Sequence, residues 1–179
     1  MFNLTTSLRR ITPMLLIAAL GITLIPTRTA AALQEPDTGN PPERTNLRAR
    51  RLERIWFRQQ RTHDHLDFLF GHAQQRLDRA RELIEVAADN GKDVSALQAA
   101  LDEFADAVQE AQQIHASAQG LVSSHPGFDA NGQVMQAEQA AETVEAMRAK
   151  LREIRDVLRN PSRALWEALR ESLEANRGG

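Results

Sequence analysis

The chain contains no cysteine and no tyrosine, and aromatic residues make up only 4% of its 179 positions. The absence of cysteine excludes disulfide bonds, thiolate metal ligands and thiol catalysis. The shortage of aromatic residues argues against a β-sheet, which favours β-branched and aromatic side chains. Alanine, glutamine, glutamate, arginine and leucine dominate instead, and these residues favour helices. The composition therefore predicts an all-α protein that depends on its hydrophobic core.

The short motifs of common enzyme families are also missing. The sequence contains no GxSxG, no P-loop and no GxGxxG pattern. Ser123, Ser124 and His125 are neighbours in sequence, but no carboxylate that would orient the histidine is identifiable. We therefore predict a protein without catalytic activity and without a cofactor.

The first 32 residues have the organisation of a secretory signal peptide. Arg9 and Arg10 precede the apolar run Ile11–Ile25, and Ala30–Ala32 offers a cleavage pattern of small residues. The run has 15 residues, whereas a membrane-spanning helix needs about 20. We predict cleavage after Ala32 and export to the periplasm or the extracellular space. Retention of the segment as a membrane anchor is the alternative.

Export would leave a mildly acidic protein. Cleavage removes three of the 22 basic residues and none of the 24 acidic ones, so the formal net charge changes from −2 to −5. An acidic protein is not drawn as a whole to nucleic acid or to anionic lipid. We expect no nucleic-acid partner, and any basic surface must be local.

A heptad pattern within residues 95–122 organises the remainder of the chain. Its seam consists of Leu97, Leu101, Phe104, Val108, Ala111, His115, Ala118 and Val122. Such three- and four-residue steps keep one face of a helix against partner helices. Asn90-Gly91 and the loop 123–133 bound this helix, so its partners precede and follow it.

The same reasoning gives the domain organisation. Residues 33–42 form a proline-containing linker, and residues 43–176 form one helical domain. We predict helices over 43–89, 95–122 and 134–159, with Gly71 tolerated inside the first. Asn160-Pro161 predicts a break and a short fourth helix over 161–176, because asparagine caps helices and proline favours their first turn. The predicted fold is an elongated antiparallel three-helix bundle or coiled coil with this short fourth helix.

Two stretches carry a resemblance to known proteins. The turn AADNGKDVSAL and the loop HPGFDANGQV, together with the leading signal peptide, resemble secreted helical bacterial proteins of unassigned function. This resemblance covers roughly residues 83–158 and implies export and a helical fold. The overall plan is also similar to periplasmic helical chaperones and metal sensors of the CpxP and Spy kind. The LTxxQ motif of those proteins is missing, so this second likeness is one of architecture.

Histidines suggest a metal site at one end of the predicted bundle. The antiparallel register places His63, His65 and His72 near His115, which we expect to face His72 or its neighbours. Together with Asp64 or Asp67, imidazoles could bind zinc or copper. A second oxygen-rich stretch follows Asp129 and is similar in spacing to part of a calcium-binding loop. Because Gly127 stands where such a loop begins with aspartate, a tight turn is the favoured interpretation.

The segment 44–61 is strongly basic. It holds seven arginines against one glutamate, a net charge of +6 over 18 residues. Because the middle helix is short, we expect this segment to extend past one end of it. Residues 161–176 would extend past the opposite end unless the break at Asn160-Pro161 folds them back, and each of the two segments carries a tryptophan. The predicted partner residues are Arg48, Arg51, Arg54, Trp56, Arg58 and Trp166.

These residues predict a protein that acts through its binding surfaces. The expected partner is another envelope protein or a second copy of the chain, whose acidic helix carries Asp102, Glu103, Asp106 and Glu110. An anionic envelope surface could also bind residues 44–61. The alternative function is metal binding by the four histidines, and an enzyme of unknown type is the third.

Overall fold

A computed structural model describes residues 41–175 of the chain. The predicted signal peptide with its cleavage site, and linker residues 33–40, lie outside the described residues. Within them the chain forms four helices: α1 (Pro41–Gly71), α2 (Ala73–Asp89), α3 (Ser95–Ser124) and α4 (Ala137–Ala175). The predicted all-α class is confirmed, since the β-pairing described in residues 41–175 is one isolated bridge between Phe128 and Val134. None of these helices is both long and apolar enough to cross a membrane.

Helices α1 and α2 replace the single first helix that the sequence predicts. The interruption falls at His72, where φ is −110° and ψ is −1°. The His72 ring nitrogen Nδ1 lies 2.9 Å from the carbonyl oxygen of Phe68 and takes the place of the helical backbone N–H. The backbone N–H of His72 itself donates to the carbonyl oxygen of Leu69, three residues earlier, instead of that of Phe68, four residues earlier. Gly71 therefore precedes a break instead of lying inside a continuous helix, and a β-carbon at this position would meet no other atom within 4 Å.

Helix α4 continues through Pro161, so the predicted separate helix over 161–176 is wrong. An interior proline removes one backbone hydrogen bond and costs about 3 kcal/mol. Leu158 and Leu165 are buried on either side of it, and each contributes about 1.5–3 kcal/mol by leaving water. Burial therefore outweighs the cost of the proline. The Ser162 hydroxyl also donates a hydrogen bond to the Arg159 carbonyl oxygen at 3.2 Å.

The described chain divides into two compact units. The turn unit comprises Phe68–Gln112 with residues 155–175, and the loop unit comprises residues 41–67 with Gln113–Ile154. The heptad seam of α3 is confirmed, because every member from Leu97 to Ala118 is buried and Val122 is half-buried. The elongated three-helix arrangement stays a prediction.

In the turn unit, residues 90–94 connect α2 to α3. Gly91 has a φ of +74° and its N–H donates to the carbonyl of Ala88, which ends α2. The Asp93 carboxylate then accepts hydrogen bonds from the Ser95 hydroxyl at 2.7 Å and the Ser95 N–H at 3.1 Å. These bonds hold the pKa of Asp93 below its ordinary value. Asp93 thus holds the first residue of α3, Ser95, from a position just before the helix.

The loop unit has a core that joins α1, α3, α4 and the loop before α4. Its buried members are Leu52, Trp56, Ala118, Phe128, Ala140, Val144 and Met147. Gln59 adds a buried polar contact, donating from Nε2 to the carbonyl oxygen of Val144 at 2.9 Å. Residues 125–136 form the loop, so α4 starts three residues later than the predicted Val134.

Candidate functional site

Trp56 lies at the centre of the loop unit. Its side chain is 1% exposed, and its ring stacks on Phe128 with a centroid distance of 5.1 Å and an interplanar angle of 12°. The prediction that Trp56 belongs to an exposed partner surface is therefore wrong. From the sequence, residues 123–133 are predicted only as a loop between two helices. In the structure, Phe128 of this loop packs on α1 and covers the tryptophan. Leu52 and Trp56 of the basic segment are therefore buried in the core of the loop unit itself.

Asp129 closes the loop on itself. One carboxylate oxygen accepts the N–H groups of Asn131 at 2.9 Å and Gln133 at 2.8 Å. The hydrogen bond from Gln133, with a further contribution from Asn131, holds the pKa of Asp129 below its ordinary value. The favoured interpretation of this stretch as a tight turn is thus confirmed, because that oxygen already serves two backbone donors.

Three contacts fasten the loop to the helices. The Val134 N–H donates to the Glu53 carboxylate at 3.1 Å, and the Thr143 hydroxyl donates to the Pro126 carbonyl at 2.8 Å. Gly127 has a φ of +83°, and a β-carbon there would lie 2.7 Å from the Cα of Ala140 and collide with its nitrogen. Only glycine allows this close approach of the loop to α4.

The opposite side of α1 carries an exposed set of arginines, which we call the arginine face. It consists of Arg50, Arg51, Arg54, Phe57, Arg58 and Arg61. The Phe57 side chain is 60% exposed, and the Arg61 guanidinium lies 5.9 Å from its ring centroid. The Nε groups of Arg54 and Arg58 each donate at 3.4 Å to the backbone carbonyl one turn earlier.

No carboxylate within residues 46–175 forms an ion pair with these arginines, or with Arg48. Some cations elsewhere are paired with a carboxylate on their own helix: Arg79 with Glu82 at 2.8 Å and Lys150 with Glu153 at 3.1 Å. Such pairs three residues apart are common on a solvated helix face. The arginine face instead combines several guanidinium groups that lack such a pair with an exposed aromatic ring on one surface.

A cavity of about 630 Å³ lies between this face and the loop. Arg54, Phe57 and Arg58 line one side, and Asn131, Gly132 and Gln133 line the other. Guanidinium groups bind planar carboxylates with two parallel hydrogen bonds, and the amide side chains supply further donors. The cavity is suited to an acidic side chain that carries an apolar neighbour.

The four candidate metal ligands do not come together as the sequence predicted. His115 contacts His63: their rings stack at 4.0 Å with an interplanar angle of 21°, and His115 Nε2 lies 3.1 Å from the His63 carbonyl oxygen. The expectation that His115 faces His72 or its neighbours is therefore wrong. Both His63 and His115 are buried, whereas His65 and His72 are exposed.

Stacked imidazoles are poorly arranged for a shared metal ion. The lone pairs of their nitrogens lie in two nearly parallel planes, so they do not converge on one ion at the usual 2.0–2.1 Å. Residues 46–175 contain no group of three histidine, aspartate or glutamate side chains positioned to hold a metal. Zinc or copper binding would require these rings to turn.

His63 is an uncharged buried group. Burial lowers its pKa, and the neighbouring His115 lowers it further, against the opposing effect of Asp64 and Asp67. Its Nε2 has no hydrogen-bond partner in the described structure. Protonation would place a cation in this site at a cost in stability.

The remaining predicted partner residues are accessible. Arg48, Arg51, Arg54 and Arg58 are exposed on α1, and Trp166 is 44% exposed on α4 in the turn unit. The sequence interpretation left Phe57 and the loop amides Asn131 and Gln133 out of its site. Residues 50, 54, 57, 58 and 61 recur at the three- and four-residue steps of one helix side, and this spacing in the sequence could have identified Phe57 as a member of the arginine face.

No protein-family model matches this chain, and no curated protein or solved structure matches it either. The likeness to secreted helical proteins and to the CpxP and Spy kind therefore stays a prediction.

Replacing Gly127 by alanine is expected to destabilise the loop unit by about 2–4 kcal/mol, because strain at positive φ adds to a collision with the α4 backbone. Gly120→Ala is the matched control. Gly120 lies within α3, and a β-carbon there meets no other atom within 4 Å, so the control should gain about 0.5–1 kcal/mol. Chemical denaturation followed by Trp56 fluorescence measures both. Equal stability of the two variants would refute the loop anchor.

The stability of the protein is expected to fall as the pH drops below about 6.5, the ordinary pKa of histidine. The unfolded chain then binds a proton that folded His63 resists, and the loss ends once the pH is below the lowered folded pKa. His63→Phe keeps a planar ring on His115 and should flatten the dependence between pH 7 and 5. Unfolding free energies measured across this range test it, and identical curves for both proteins would contradict the assignment to His63.

Proposed function

We propose that this chain is an exported, non-enzymatic protein that binds an acidic protein surface through the arginine face of α1. The single observation that carries the proposal is the set of exposed guanidinium groups that form no ion pair with a carboxylate of residues 46–175. A solvated helix gains little from like charges at neighbouring positions, which repel one another. A partner that brings carboxylates relieves this repulsion and satisfies the guanidinium donors.

The shape of the surface favours a protein partner over a membrane. The cavity beside Phe57 is lined by both guanidinium and amide groups. A protruding side chain of a protein can fill such a cavity, whereas the flat surface of a lipid bilayer would leave it empty. The acidic net charge of −5 after the predicted cleavage also opposes approach to an anionic bilayer. An acidic helix or loop can enter the cavity with a single side chain.

The lining of the cavity supports a binding role rather than a catalytic one. Among the described residues, those that line it include no histidine, serine, threonine or lysine. Its one carboxylate, Glu53, already accepts the Val134 N–H at 3.1 Å. A nucleophile next to a general base is the usual minimum for covalent catalysis, and this cavity lacks it. Export is proposed on the signal-peptide pattern of residues 1–32.

The proposal predicts that Arg54→Glu together with Arg58→Glu weakens binding of a fluorescent glutamate-rich peptide by at least about tenfold at low salt, because charged hydrogen bonds contribute about 1.5–3 kcal/mol each. The control, Arg79→Glu with Arg163→Glu, changes the net charge equally on α2 and α4 and should bind like the wild type. Fluorescence anisotropy measures the affinities.

Equal weakening in both double variants would show that only net charge matters and would refute a specific face. Wild-type binding to phosphatidylglycerol vesicles but not to the peptide would also overturn the proposal, since the partner would then be lipid.

A further inference from the structure

We infer that the acidic surface bound by the arginine face is helix α3 of a second copy of this chain, an inference that rests on the proposed function. The geometry to be matched comprises three guanidinium groups. Arg54, Arg58 and Arg61 follow one another by four and then three residues. Such steps place all three on one side of a helix with 3.6 residues per turn.

Helix α3 carries charge of the opposite sign. Its 30 residues include no lysine and no arginine. The Asp102 carboxylate forms an ion pair with Arg81 of the same chain, with an oxygen-to-nitrogen distance of 3.8 Å, and accepts a hydrogen bond from the Gln98 side-chain amide. Glu103, Asp106 and Glu110 are exposed and form no ion pair within residues 46–175. These three carboxylates are therefore available to an outside cation.

The two charge patterns match when the helices run in opposite directions. Read backwards, Glu110, Asp106 and Glu103 also follow one another by four and then three residues. An antiparallel pair therefore sets Arg54 opposite Glu110, Arg58 opposite Asp106 and Arg61 opposite Glu103. A parallel pair would displace the central pair by one residue. Antiparallel helices also place the positive end of each helix dipole beside the negative end of the other.

The contact would be weak and sensitive to salt. Exposed ion pairs contribute little individually, and their attraction is screened as the Debye length falls from about 30 Å at 0.01 M salt to about 3 Å at 1 M. Phe57, 60% exposed beside the arginines, adds apolar surface that salt does not screen. Association at low salt that is reversed at high salt is the expected behaviour.

Charge reversal tests the pairing directly. The arginine-reversed variant carries Arg54→Glu, Arg58→Glu and Arg61→Glu, and the acid-reversed variant carries Glu103→Arg, Asp106→Arg and Glu110→Arg. All six positions are exposed, so circular dichroism should show unchanged helix content. Sedimentation equilibrium is expected to show wild-type self-association at about 0.01 M salt that is lost at about 1 M. Each variant alone should stay monomeric, and their equimolar mixture should associate again.

A matched control reverses three exposed acids on α4, with Glu138→Arg, Glu142→Arg and Glu171→Arg, and should associate like the wild type. A wild-type chain that is monomeric at low salt would overturn the inference. Loss of association in the α4 control, or a mixture of reversed variants that stays monomeric, would overturn it as well.

The glutamate-rich peptide separates this inference from the proposed function. The acid-reversed variant keeps the arginine face intact and should bind the peptide at least as tightly as the wild type. Peptide binding by a wild-type chain that never self-associates would refute the second copy as partner and leave the proposed function standing. Absence of both peptide binding and self-association would refute both.

Discussion

The stacking of Trp56 on Phe128 decides which side of α1 faces solvent. An aromatic side chain of this size removes roughly 150–250 Å² from water, which contributes on the order of 4–6 kcal/mol. Leu52 and Gln59 point the same way as Trp56 and are buried with it. Since the helical turn fixes the directions of the side chains relative to one another, burial of Trp56 leaves the arginines on the other side of α1 exposed. The position of the arginine face thus follows from the position of one tryptophan.

The loop that supplies Phe128 depends on its own backbone chemistry. The Asp129 carboxylate accepts two backbone N–H groups of the loop, and Gly127 contacts α4 where a side chain would not fit. The Glu53 carboxylate of α1 accepts the Val134 N–H. Glu53 is the one acidic residue among the seven arginines of the basic segment. Its carboxylate accepts the loop N–H and, within residues 46–175, forms no ion pair with an arginine of the face.

The sequence predicts helices well where burial follows a regular period. The seam from Leu97 to Ala118 is buried throughout, and the turn at Asn90-Gly91 lies where it was expected. The errors arise where local rules compete with burial. Pro161 reads as a helix break, yet Leu158 and Leu165 hold the helix together. The antiparallel register inferred from the sequence sets His115 opposite His72 or its neighbours, whereas in the structure His115 stacks on His63.

The arginine face could be predicted in part. The charge excess of residues 44–61 is evident in the sequence, whereas the burial of Trp56 depends on a loop about 70 residues later in the chain. Hydrophobic pattern alone cannot indicate such a contact, because a tryptophan on a basic helix suits a core and a partner surface equally. That these arginines form no ion pair within residues 46–175 likewise cannot be predicted from the sequence, because it depends on where the carboxylates lie in the fold.

Thiol cross-linking between two copies tests the central claim most directly, because the chain has no cysteine of its own. Arg58→Cys and Asp106→Cys are prepared separately, mixed, and treated with a short bismaleimide at low salt. The account predicts a cross-linked dimer containing one chain of each variant, formed much faster than with Glu145→Cys as the partner and suppressed by about 1 M salt. Equal cross-linking to Cys at positions 106 and 145, or cross-linking that salt does not change, would contradict it.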